Sequence, residues 1–247
     1  MSDNNHLFGI RPVIEAIESG KEIDQLFIQK GLSSDLFKEL WKLVRERGII
    51  YKHVPLEKMN RLTRKAHQGV FAFISPITYH SIENLLPQIY ESGKIPLILI
   101  LDRVTDVRNF GAIARTAECA GVDAIIVPEK GSAQMNADAV KTSAGALHRI
   151  PVCREQYLDY VIKFLQESGL RIVGCTEKGD QSIFEVNMVE PTAIIMGSEE
   201  DGISPAFLKL VNDKAKIPMA GEIGSLNVSV SAGLIIYEAV RQRGLIS

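Results

Sequence analysis

Cysteine is scarce in this 247-residue chain. Cys119, Cys153 and Cys175 are an odd number with no CxxC pair, which argues against a disulfide framework and a thiolate metal site and for buried thiols in a reducing compartment. Long apolar runs are missing as well. Nothing approaches the roughly 18 apolar residues of a membrane span, and the opening MSDNNHLFGIRPV has no basic flank leading into an apolar stretch, so the expected location is the cytoplasm. The familiar phosphate cradles are absent, with no GxGxxG after the first strand of either half and no GxxxxGK followed by Ser or Thr. Neither HExxH nor GxSxG occurs, and the five histidines, His6, His53, His67, His80 and His148, show no ligand spacing. These gaps set aside dehydrogenase, P-loop NTPase, zinc protease and serine hydrolase, and no metal is expected. What remains is an ordinary globular composition, 46% hydrophobic and 23% charged, long enough for one large domain or a small one plus a medium one.

Two textures divide the chain. Residues 1–75 alternate between a helical pattern over Arg11 to Ser19, a strand IDQLFIQK, an amphipathic helix in SSDLFKELWKLVRERG, a strand IIYKHV, a short helix LEKMNRLTR and a strand GVFAFI. Such alternation makes a small α/β module. Residues 76–94, with two prolines and a mixed pattern, read as a linker carrying one amphipathic helix. Over 95–247 the runs PLILILD, DAIIVP, RIVGCT, TAIIMG and AKIPM are apolar throughout, as strands of a parallel sheet covered on both faces must be. Helices are expected to begin near Phe110, Asn136, Gln156, Pro205 and Leu226, giving a doubly wound α/β domain.

Three segments of that domain carry chemistry. In LDRVTDVRNFGAIARTAECAG a strand ends at Asp102 and a helix is expected near Gly111 with Asn109 as its cap, leaving Arg108 and Arg115 close to the strand's carboxyl end, where open α/β sheets bind ligands. A plain capped surface helix would look the same. In AIIMGSEEDGIS, Gly197 and Gly202 flank Glu199, Glu200 and Asp201, so backbone can approach a ligand closely while the acids bind its hydroxyls or an arginine. The bland alternative is an acidic helix start favoured by the macrodipole. In KIPMAGEIGSLNVSVSAGLIIYEAVRQR, Ser225, Asn227 and Ser229 gather at a helix start, more polar groups than one cap needs. Ala232, Gly233, Ile236 and Ala239 further along suit tight packing on another helix, in the same chain or a partner.

In this order, NFGAIARTA, IIMGSEEDGIS and IPMAGEIGSLNVSVSAG closely resemble the three signature motifs of the TrmH-type branch of SPOUT RNA methyltransferases. FGIRPVIEAI and HQGVFAF look like the same family's substrate-binding domain, so the resemblance covers nearly the whole chain, and its nearest branch is the bacterial large-subunit (23S) ribosomal RNA guanosine 2′-O-methyltransferases. The resemblance implies a C-terminal parallel sheet with a deep trefoil knot, an exception to the unknotted rule, behind a small α/β domain of the ribosomal protein L30e type. It implies S-adenosylmethionine as cofactor, held by Thr176, Gly197, Ile217, Met219 and Leu226, and a homodimer sharing its active site. It points to Asn109, Arg115, Glu199, Ser225, Asn227 and Ser229 as catalytic. A base role for Arg115 conflicts with a guanidinium pKa above about 12, so Arg115 is expected to bind phosphate and stabilise the developing alkoxide. Glu199 is then expected to orient Arg115 or bind substrate, and Asn109 to hold its loop and the ribose. A tRNA ribose methyltransferase, a non-catalytic RNA-binding assembly factor, and an α/β enzyme acting on a small nucleotide stay open beside this reading.

Net charge, −2 overall, hides an asymmetry. Residues 1–75 hold 12 Lys+Arg against 9 Asp+Glu, whereas 76–247 hold 16 against 21. Within 41–65 eight basic residues face only Glu46 and Glu57. A solvated helix face would suffice, but Arg47, Arg61, Arg64 and Lys65, with His67 and Gln68 beside them and Arg108 in the second half, form the expected RNA-phosphate footprint.

Overall fold

The protein, a computed structural model describing residues 6–244, divides into two units, one of residues up to 78 together with 135–137 and one of residues 79–134 and from 138 on. In the first, β1 (His6–Phe8), α1 (Ile10–Glu18), β2 (Ile23–Gln29), α2 (Asp35–Glu46), β3 (Tyr51–Val54), α3 (Leu56–Leu62) and β4 (Val70–Ile74) follow one another. They build a sheet ordered β1-β4-β2-β3, antiparallel except where β2 pairs with β3. Both faces of this sheet are covered, which is why β2 shows no polarity alternation. Leu26 and Ile28 pack with Ile14, Ile17, Leu40 and Val44, and the intervening Phe27 joins Val54, Met59 and Phe71 in a second cluster. Helix α2 starts where Ser34 Oγ accepts from the Phe37 N–H at 3.2 Å. At the free edge of the sheet the Trp41 ring lies 4.9 Å from Tyr51 and 6.1 Å from His53. Only β1 goes unannounced by the sequence pattern of this unit.

The second unit comprises β5 (Tyr79–His80), α4 (Ile82–Glu91), β6 (Leu97–Leu101), α5 (Val107–Cys119), β7 (Ala124–Pro128), α6 (Ala137–Thr142), β8 (Val152–Glu155), α7 (Leu158–Glu167), β9 (Arg171–Cys175), β10 (Gln181–Ser182), β11 (Thr192–Met196), α8 (Pro205–Leu208), β12 (Asp213–Lys216) and α9 (Val228–Gln242). Its eight strands run in the order β10-β12-β9-β11-β6-β7-β8-β5, and every pairing is parallel. One face of the sheet packs Ile98, Ile100, Ile126, Ile172 and Ile195 against Ile82, Leu86, Val161, Ile162 and Leu165 of α4 and α7. Elsewhere α5 and α9 lie on each other, and Ala232, Ile236 and Ala239 are fully buried, so the small-residue face of α9 packs within the chain. Arg243 closes that helix. Its guanidinium donates to the carbonyls of Ile95, Pro96, Met188 and Glu190 at 2.7–3.1 Å, fastening α9 to the segments that enter β6 and β11.

Four expectations need correction. The stretch 76–94 is no free linker: β5 pairs with β8, and Ile82, Leu86 and Ile89 of α4 belong to the core of the second unit. Helix α5 begins at Val107, earlier than expected, because Asp106 caps it, its Oδ1 accepting from the Arg108 and Asn109 N–H groups at 2.8 Å each. Asn109 is therefore no cap, and its amide is free for other partners. Strand β12 ends at Lys216, so Ile217, Pro218 and Met219 belong to the loop that follows. Among the described residues no helix is long and apolar enough to cross a membrane.

Candidate functional site

The carboxyl ends of β6, β9, β11 and β12 point the same way, and the loops leaving β9, β11 and β12 enclose a cleft of about 1390 Å³. The end of β9 and the turn after it contribute Cys175, Thr176, Glu177 and Lys178, the turn after β11 contributes Gly197 to Gly202, and the segment after β12 contributes Ile217, Pro218, Met219 and Gly224 to Asn227. All five residues expected to hold a cofactor, Thr176, Gly197, Ile217, Met219 and Leu226, line it.

The turn after β11 is fixed by close packing. A Cβ on Gly197 would lie 2.0 Å from the Gly202 carbonyl carbon and 2.1 Å from the Ile203 nitrogen, so only glycine fits. Ser198 and Gly202 exchange both backbone hydrogen bonds, at 3.0 and 3.1 Å, and Gly202 has φ +68. Buried Asp102, at the end of β6, accepts from the Ser204 N–H at 2.6 Å. Arg103, with φ +59, joins Asp102 to Asp201 and also donates to the Gly202 carbonyl.

Glu199 projects from this turn and is where the three chemistry-bearing segments meet. Its Oε1 accepts from the Asn109 amide and, at 3.3 Å, from the Asn227 amide. Asn227 Nδ2 also donates to Asn109 Oδ1 at 3.1 Å. The remaining Asn227 oxygen caps α9, accepting from the Ser229 N–H at 2.9 Å and from its hydroxyl at 2.5 Å. Asn109, Glu199, Asn227 and Ser229 thus form one hydrogen-bonded chain, and Ser225 lines the same cleft. Arg115 stands apart. It is exposed, six residues and so about 9 Å along α5 from Asn109, and makes no hydrogen bond or ion pair with any described residue. Both amides share Glu199 Oε1, and no contact joins Glu199 to Arg115 among the described residues. Burial pushes the Cys175 thiol up to about 12, helped by nearby Glu177, so this cleft residue is no nucleophile near neutral pH.

In the first unit Arg47, Arg61, Arg64 and Lys65 are exposed, and Arg108 is exposed on the first turn of α5. His67 and Gln68 also make hydrogen bonds within their own unit. His67 Nδ1 accepts from the Gly69 N–H at 2.9 Å, which puts the ring proton on Nε2, facing Asn60 Oδ1 at 3.0 Å. Gln68 Oε1 accepts from the Ile10 N–H at the start of α1. The sequence reading missed Asp102, Arg103 and Lys178. Asp102 and Arg103 sit at the end of an apolar strand, where polar residues signal a ligand end without saying which of them bind each other. Among the described residues no cluster of His, Cys, Asp and Glu suits a metal.

Residues 96–237 match the SpoU rRNA Methylase family, and residues 6–80 match the RNA 2′-O ribose methyltransferase substrate-binding family. A Staphylococcus saprophyticus protein named as a TrmH family tRNA/rRNA methyltransferase is 36% identical over 97% of this chain and 96% of its own length. Among solved structures, the SpoU methyltransferase AviRb from Streptomyces viridochromogenes, in complex with the cofactor AdoMet, aligns with TM-score 0.62 and 27% identity over 98% of this chain and 91% of that one. A TrmH/SpoU tRNA modifying enzyme from A. aeolicus aligns with TM-score 0.56 and 29% identity over 66% of this chain and 85% of its own.

Proposed function

The chain belongs to the SpoU rRNA methylase family of RNA 2′-O-ribose methyltransferases, and from that premise we propose that it methylates the ribose 2′-hydroxyl of a guanosine in large-subunit ribosomal RNA, with S-adenosylmethionine as donor. The observation that carries this reading is the meeting of Asn109, Glu199 and Asn227 beside the cleft, three polar side chains from three separate segments locked in one network. A sheet that served only to bind RNA would have no use for it.

The cleft fits the proposed cofactor. Ile217, Met219 and Leu226 offer an apolar wall for an adenine ring, Glu177, Glu199, Glu200 and Asp201 suit an ammonium and a sulfonium, and Lys178 and Lys216 suit a carboxylate. When bound, that group supplies an activated methyl. The chain's own residues do the rest. Asn109 and Asn227, fixed by Glu199, hold the ribose so that its 2′-oxygen lines up for in-line displacement. Ser225 and Ser229 complete the polar wall at the start of α9. Arg115, exposed and without a side-chain partner among the described residues, binds the neighbouring phosphate and stabilises the alkoxide as charge develops. The basic residues of the first unit, Arg47, Arg61, Arg64 and Lys65, grip the RNA backbone.

The same reading includes the C-terminal trefoil knot of the family and a homodimer. Val230, Leu234 and Tyr237 on α9 are 50%, 43% and 42% exposed, an apolar stripe that a second copy would cover. The cytoplasm is inferred from three free cysteines. A tRNA substrate is the second reading, favoured by the A. aeolicus relative. Transfer of labelled methyl to purified ribosomal RNA and to tRNA, followed by mapping of the ribose-methylated nucleotide, separates them. Labelled guanosine in ribosomal RNA is the expected result, and label confined to tRNA overturns it.

A further inference from the structure

Arg103 is one of only three non-glycine residues with positive φ among those described, at +59. A left-handed backbone is free for glycine and unfavourable for arginine, so its persistence here asks what the side chain secures. The guanidinium makes four contacts. Nε and Nη2 reach the two oxygens of Asp102 at 3.1 and 3.4 Å, Nη1 reaches Asp201 at 3.0 Å, and Nη2 reaches the Gly202 carbonyl at 3.0 Å. That carbonyl is the one that also accepts from the Ser198 N–H and closes the turn around Glu199. Asp102 itself is buried and holds the far side of the turn through the Ser204 N–H.

We infer that Arg103 is a positioning residue for methyl transfer: it ties the Glu199 turn to the end of β6 and so holds Glu199 where it can fix Asn109 and Asn227. Three lines of geometry converge on this. The turn has no room to shift toward Gly197, its Asp201–Gly202 end is tied to the end of β6 through Arg103 and Asp102, and Glu199 lies between the residues that Arg103 and Ser198 hold. The carboxylate of Asp201, 70% exposed, is held by this guanidinium, while the Asp201 N–H donates to Ser198 Oγ at 3.1 Å. The inference rests on the methyl-transfer reading, since Arg103 acts through Glu199 and not on substrate.

The test is Arg103→Gly, which accepts the same backbone conformation and deletes the guanidinium, beside Arg103→Lys and Glu199→Gln. Arg103→Gly should keep the melting temperature and the KM for RNA of the parent while kcat falls by about tenfold to a hundredfold, the scale of a misplaced positioning group. Arg103→Lys, able to reach one acceptor at a time, should restore part of kcat. Added to Glu199→Gln, Arg103→Gly should lower kcat little further, because both act on one element. A parental kcat in Arg103→Gly, or a full additional loss in the double variant, overturns the inference. If the parent protein itself transfers no methyl to any RNA, the functional reading fails first and is recognised as such.

Discussion

Replacing Gly197 by Ala adds one methyl group at the most crowded point of the molecule. The backbone there needs no positive φ, so the whole effect comes from space. The new Cβ would sit 2.0, 2.1 and 2.4 Å from Gly202 C, Ile203 N and Gly202 O, all main-chain atoms that cannot swing aside like a side chain. Relief requires opening the Ser198–Gly202 turn, whose two backbone hydrogen bonds are worth about 1 kcal/mol each, and overpacking adds about 1–3 kcal/mol, so a loss of roughly 3–5 kcal/mol is expected. For a chain of this size that lowers the melting temperature by roughly 6–20 °C. Circular dichroism melts of Gly197→Ala and of Gly221→Ala, whose added Cβ meets nothing within 4 Å, provide the comparison. Binding of S-adenosylmethionine, followed by calorimetry, should fall in the first variant and persist in the second. An unshifted melt together with parental binding for Gly197→Ala would refute the packing argument.

Other perturbations separate structure from chemistry. Asn227→Asp keeps an oxygen to cap α9 but sets a carboxylate against Glu199, so melting should hold while methyl transfer drops; Asn227→Ala should lose the cap as well, about 1 kcal/mol by denaturant titration. Charge reversal of Arg61, Arg64 and Lys65 should weaken RNA binding in a filter assay and flatten its dependence on log salt by about two to three units, whereas an unchanged slope places the footprint elsewhere. Burial pushes the thiols of Cys153 and Cys175 from 9.0 up to about 12. The folded state therefore retains protons that the unfolded chain releases, and stability is full below pH 9 and declines from pH 9 toward 12. Urea titrations across that range should show less decline in Cys153→Ala.

The parallel sheet was readable because β6, β9 and β11 are apolar on both faces, which only a doubly covered sheet demands. Strands β5 and β10 were not, since two residues apiece carry no period and gain their place by pairing alone. The start of α5 shows where local reasoning falters. Asp106 and Asn109 are both good caps three residues apart, and only the tertiary demand of Glu199 for an amide donor decides which one caps and which one faces the cleft. Ser225, Asn227 and Ser229 exceed the needs of one cap, and the excess marked the site. Arg103 left no such sign, because a positive φ is invisible in a residue type that seldom adopts it. The basic run around 41–65 was plain in the sequence, whereas the structural duties of His67 and Gln68 depend on a turn formed only in the folded unit.

Trp41, the single tryptophan, lies against Tyr51 and His53 in the first unit, while the cleft is lined wholly by residues of the second. Intrinsic tryptophan emission therefore arises from the first unit, beside Tyr51 and His53. A chain whose Trp41 is exchanged for Phe and whose cleft residue Leu226, 39% exposed, is exchanged for Trp would move that light source to the chemistry, turning cofactor entry into an optical signal against a dark background.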